Sequence, residues 1–170
     1  MRISPNVLLI AVAAAAVFGV VAYGSANSSH SSPAPINTPS LSRDALKAID
    51  AQVWQWDRTG GQDLITLISQ VQKTGKDMAS KGTTRDVLSA DCAAISSDAT
   101  QVQHDAPIPD GPAEAHLTRA LQDILPGASQ CGPGSNQGVE AMGSATYMIN
   151  QGILELEALN TRLEDLDASR

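Results

Sequence analysis

Aromatic residues are scarce in this chain of 170 residues, at 3%, and no stretch alternates apolar and polar side chains over the length of a strand. With no Asn-Gly or Asp-Gly turn joining apolar runs, a sandwich or barrel is excluded. Basic charge is thin too, with 11 Lys and Arg against 18 Asp and Glu. Arg2 is the only charged side chain before Arg43, so the rest of the chain carries 10 against 18, a net of −8. Without a basic stripe there is no footprint for a phosphate backbone, so nucleic acid and anionic lipid headgroups are excluded as partners of the folded part. Gly-x-Ser-x-Gly, Ser-x-x-Lys, a phosphate-cradling glycine loop and His-Glu-x-x-His are all missing. Gly127-Ala128-Ser129-Gln130-Cys131 fails the first of these for want of its second glycine. Internal repeats are absent as well, which excludes a solenoid.

What is present begins with a leader. Val7 to Tyr23 is an unbroken apolar run of 17 residues behind Arg2. That length lies between a signal-peptide core and a membrane span, so both a cleaved signal and a retained anchor stay open. Small residues ending at Gly24 and at Ala26 suit a signal peptidase. In either case the positive-inside rule leaves Arg2 in the cytoplasm and exports the chain beyond Tyr23. From Ser25 to Ser40, nine of sixteen residues are Ser or Pro. Such a stretch cannot build a core and acts as a tether reaching about 20 Å. The organisation is therefore a leader at 1–24, a linker at 25–40 and one domain at 41–170, near the commonest domain size.

That domain reads as helices. Thr38-Pro39 has the chemistry of an N-cap and first helical position, with Ile49, Val53 and Trp56 recurring at helical spacing to Asp57. Beyond Gly60-Gly61, Leu64, Ile68, Val71 and Met78 mark a second helix ending near Gly82. Thr83 and Asp86 stand in the capping-box relation before Leu88, Cys92, Ile95, Ala99 and Val102. Three prolines between Pro107 and Pro112 force an extended loop. A fourth helix from Pro112 carries Leu117, Leu121, Ile124, Ala128 and Cys131, kinked or ended by Pro126. After Gly132-Pro133-Gly134 a fifth pattern runs close to thirty residues through Val139, Met142, Ile149, Ile153, Leu156, Leu163 and Leu166. Four or five such helices bury their stripes only against one another, and short connections make neighbours antiparallel, so the fold is an all-α antiparallel bundle.

Cys92 and Cys131 each fall on the apolar stripe of their own helix, beyond the export signal. Antiparallel packing of the third and fourth helices brings both thiols to one seam, in a compartment where a disulfide persists. Neither a Cys-x-x-Cys spacing nor further ligands support a redox pair or a thiolate metal site. Counted from the cysteines, the fourth helix outruns the third, so the proline loop folds back along the overhang and Ile108 covers Leu117. The succession of Cys92, Pro107-Ile108-Pro109-Asp110, Ala120-Leu121 and Cys131 resembles small exported helical proteins of uncharacterised function in actinobacteria, over roughly residues 40 to 165. The resemblance implies a helical domain behind a signal peptide or anchor, and no activity, ligand or catalytic residue.

Candidates for chemistry are few. His104, Asp105, Asp110, Glu114 and His116 cluster around the proline loop, where two imidazoles and carboxylates offer zinc ligands or acid–base groups. Polar residues complementing helix ends explain them more simply. Glu155, Glu157, Glu164, Asp165 and Asp167 read as a solvated acidic face. Trp54 and Trp56 diverge by about 200° on a helix, so Trp56 takes the core and Trp54 the stripe's edge. Trp54 and Tyr147 are the candidates for partner contact. The sequence thus points to a non-enzymatic binding module of the cell envelope, without cofactor or metal, whose partner is an envelope protein or a small apolar ligand. A structural or stress-protective envelope protein is the first alternative, and a metal-dependent or hydrolytic enzyme using His104 and His116 the second.

Overall fold

The computed structural model describes residues 42–168 except Gly60, Lys81 and Gly138, and leaves the side chains of Ala79 and residues 133–141 outside the description. The leader, the Ser/Pro linker and the Thr38-Pro39 cap lie outside the described residues. Five α-helices account for nearly all of the rest, and there is no strand among the described residues. They are α1 (Arg43–Thr59), α2 (Gly61–Ala79), α3 (Arg85–His104), α4 (Gly111–Gln137) and α5 (Val139–Ala168). In this part of the chain no helix is long and apolar enough to cross a membrane.

Short polar side chains set where the helices start, because the first amides of a helix lack intrahelical acceptors. Ser42 Oγ accepts from the Ala45 amide at the start of α1. The cap of α3 is Thr84, whose hydroxyl accepts from the Val87 amide at 3.4 Å, one residue later than the Thr83–Asp86 spacing implies. With Val87 three residues on, no carboxylate returns the bond, and Asp86 serves only as first-turn charge. Asp110 begins α4, its Oδ2 accepting from the Ala113 amide at 3.0 Å, so the helix opens at Gly111 and Pro112 occupies its first turn.

The largest departure from the sequence reading is in α4. Pro126 does not end it, Gly132-Pro133-Gly134 does not break it, and the helix runs on to Gln137. In a helix interior Pro is disfavoured by about 3 kcal/mol and Gly by about 1 kcal/mol, a bias that tertiary packing overrides when a second helix lies alongside. Here α4 packs along both α3 and α5, and α5 has 30 residues, the length expected.

Neighbours in sequence are neighbours in space, and α1 closes back onto α5. Cys92 and Cys131 are disulfide-bonded across the α3–α4 seam, with their Cα atoms 5.8 Å apart. Trp56, Leu64, Leu67, Val71, Ile95, Ala99, Ile108, Leu117, Ile124 and Leu159 belong to one buried cluster. Ile108 thus reaches the core from the proline loop, as the overhang of α4 requires.

Along α4 and α5 buried positions recur in a seven-residue repeat. On α4 they are Ala113, Leu117, Ala120, Ile124, Gly127 and Cys131; on α5, Ala145, Ile149, Gly152, Leu156, Leu159 and Leu166. Steps of four and three are the pattern of a left-handed coiled coil. The glycines in it allow close backbone approach. A Cβ on Gly152 would lie 2.9 Å from the Ala120 carbonyl oxygen, and one on Gly127 would lie 3.0 Å from that of Ala145.

Candidate functional site

A cleft of about 550 Å³ opens where the end of α1 and the α3–α4 loop meet α4. Trp56 comes from α1 and Val102 from α3. Leu117, Leu121, Leu125 and Pro126 form the α4 wall, and Asp105 to Pro107 form the lip. Spacings of four along α4 place the leucines on one side of the helix. The sequence reading took those leucines for core alone. Leu117 and Leu121 are indeed buried, whereas Leu125 is only partly covered.

The lip is held from several directions. Trp56 Nε1–H donates to the Ala106 carbonyl at 2.7 Å, tying the end of α1 to the loop. Glu114 Oε2 accepts from the Ile108 amide at 2.8 Å, while its Oε1 accepts from the Thr118 hydroxyl at 3.4 Å. Asp110, at 1% exposure, receives both arms of the Arg162 guanidinium at 2.8 Å. Such a planar fork fixes both partners. Burial raises the Asp110 carboxyl, but the Arg162 hydrogen bonds and the Ala113 amide outweigh it and leave it below its ordinary value. The partner guanidinium is correspondingly raised by Asp110.

Asp105 is treated differently by its surroundings. Its Oδ2 is shielded from solvent and accepts no hydrogen bond. Burial, and then the negative charge of Asp63, raise its pKa, with His104 pulling the other way. The same Asp63 adds to the effect of burial on Asp98.

The residues around the proline loop therefore do not converge on one point. His104 is exposed, Asp110 is bound to Arg162, and Glu114 secures the loop. His116 turns to α5, where its Nδ1–H donates to Glu155 Oε2 at 2.6 Å. Among the described residues no group of three or more His, Cys, Asp or Glu is arranged to hold a metal ion. Glu155 corrects the reading of a uniformly solvated acidic face: it is buried in the α4–α5 seam, with Arg119 3.9 Å from its other oxygen. Its distance from His116 in sequence hid the pairing.

The two partner-contact candidates lie apart from the cleft lining. Trp54 is half-buried with the Arg58 guanidinium 4.5 Å above its ring, and Trp56 is buried, so the division between them agrees with the helical geometry. Tyr147 stands out from α5 at 57% exposure.

Fold and site together define a disulfide-linked all-helical bundle with one mixed apolar and acidic cleft described. No family model, curated protein or solved structure matches the chain.

Proposed function

We propose that this protein is a non-enzymatic binding module that works outside the plasma membrane and takes a small, largely apolar ligand into the cleft between α4 and the α3–α4 loop. The observation that carries the reading is the cleft. Its volume lies in the range that encloses small molecules, and its apolar walls with a few polar groups are the usual make-up of such a site. The ties from Trp56, Glu114 and Arg162 support it, since a lip already fixed costs little entropy when a ligand arrives. The apolar leader, the disulfide and the resemblance to exported actinobacterial proteins support the location.

The test is a titration with N-phenyl-1-naphthylamine, an uncharged probe that brightens in apolar surroundings. One probe should bind per chain, and Leu125→Trp, which fills the partly covered end of the cleft, should abolish the enhancement while leaving the melting temperature close to wild type. Equal enhancement in the variant, or none in the wild type, would remove the reading. For the location, alkaline phosphatase fused to the carboxyl end should be active, and an inactive fusion would place the domain in the cytoplasm.

A second reading rests on Tyr147, whose exposed ring offers an envelope protein a contact on α5, with Trp54 as the other candidate. Under that reading Tyr147→Ala lowers capture of the partner and leaves probe binding intact.

A further inference from the structure

Taking the cleft as the binding site, on which this step rests, we propose that its ligand is an amphipathic cation, an apolar body ending in a charged nitrogen, with Asp105 receiving the charge. Three observations lead there. The ionisable side chains that line the cleft are Asp105 and Glu114, and neither Lys, Arg nor His is among its lining residues. Of those two acids, Glu114 is engaged on both oxygens, by the Ile108 amide and the Thr118 hydroxyl. Asp105 keeps Oδ2 shielded from solvent with no donor. Asp105 thus carries its charge at the lip with no protein donor on that oxygen, and a cation in the cleft can offset that charge across a short distance.

Asp110, five residues on in the same loop, makes the contrast. It has the Arg162 fork and the Ala113 amide within hydrogen-bonding distance. The structure thus neutralises one loop carboxylate with its own cation and leaves the other without. Burial and then the negative charge of Asp63 on α2 raise the Asp105 carboxyl, with His104 opposing them, and a cation seated at the lip would offset both acids. Trp56, held in place by its bond to Ala106, adds an aromatic wall of the kind that attracts ammonium and guanidinium groups. A carboxylate ligand would meet two acids and no basic side chain among the lining residues.

Octylammonium, octanol and octanoate share one tail and differ in headgroup, so they separate the two steps. Each is titrated into the exported, oxidised protein and monitored by amide and indole N–H chemical shifts. Octylammonium should bind at least about tenfold more tightly than octanol at low salt, the scale of one charge-assisted hydrogen bond. Octanoate should bind more weakly than octanol. Added sodium chloride should shrink the ammonium preference in the wild-type protein, a readout that needs no variant. Asp105→Asn, close to isosteric, should bring octylammonium to within about twofold of octanol. Octanol binding in the cleft as tightly as octylammonium, or an ammonium preference that survives in D105N, would overturn the cation assignment and leave the cleft reading standing. Cleft amides that none of the three probes moves would overturn both.

Discussion

Placing a methyl group at position 152 sets two opposing effects against each other. In a helix interior Ala is favoured over Gly by about 1 kcal/mol. Gly143, on the same helix, has nothing within 4 Å of where a Cβ would sit, so Gly143→Ala should realise that gain. At Gly152 the same methyl meets the Ala120 backbone oxygen at 2.9 Å and also the Ile124 side chain. Ile124 is fully buried and β-branched, so it has little freedom to turn, and Ala120 O belongs to the α4 backbone, so relief requires the two helices to separate along the seam. Overpacking of that kind costs about 1–3 kcal/mol. After the propensity gain, Gly152→Ala should lose up to about 2 kcal/mol and stand about 1–3 kcal/mol below Gly143→Ala, a difference of several degrees in melting temperature for a domain of this size. Paired urea denaturation of G143A and G152A, with the wild type alongside, reads the difference directly. Should G152A prove as stable as G143A, the backbones do not approach as described and the small-residue seam is not what holds α4 to α5.

The ties around the cleft and the bundle lead to three further expected outcomes. Reducing the Cys92–Cys131 bridge opens a loop spanning 39 residues of sequence separation and should cost about 4 kcal/mol in the chain-entropy model, visible as a lower denaturation midpoint in the presence of a thiol reductant. Arg162→Met strands a buried Asp110 and should cost about 3 kcal/mol at neutral pH. Because the folded state holds the Asp110 carboxyl below its ordinary value, the pair stabilises the fold above the usual carboxylate range and that contribution disappears as pH falls through the folded-state value. Wild-type stability should therefore decline on acidification more steeply than that of R162M, measured by chemical denaturation from pH 7 to pH 2. Trp56→Phe removes the bond to Ala106 together with part of the buried indole and should cost about 1–3 kcal/mol, with faster hydrogen exchange at amides of the α3–α4 loop.

Much of the architecture was legible because apolar periodicity and cysteine placement are local signals. Leu88 to Val102 marks α3, and the two cysteines share stripes that antiparallel packing must join. The division between Trp54 and Trp56 comes from helical geometry alone. Other parts were hidden for identifiable reasons. Gly127, Gly152, Ala120 and Ala145 sit on the tightest seam, yet small residues give no hydrophobic contrast and glycine inside a helix reads as a breaker. For the same reason Gly132-Pro133-Gly134 looked like an end, although α4 runs on to Gln137. Glu155 looked solvated because its partners, His116 and Arg119, lie far away in sequence. The cleft is a property of three segments meeting, so neither the leucines of α4 nor Trp56 announces it alone. Asp105 was noticed only as one of five clustered polar residues; its lack of a donor emerges once the other four are seen engaged or exposed.

A ligand seated against the α4 leucines beneath the proline loop is the central claim. Intermolecular nuclear Overhauser effects between N-phenyl-1-naphthylamine and the methyl groups of the oxidised protein locate the probe directly. They should connect its rings to Leu117, Leu121 and Leu125 and to the Trp56 indole. Contacts confined to other surfaces, such as the ring of Tyr147, would contradict the assignment of the cleft.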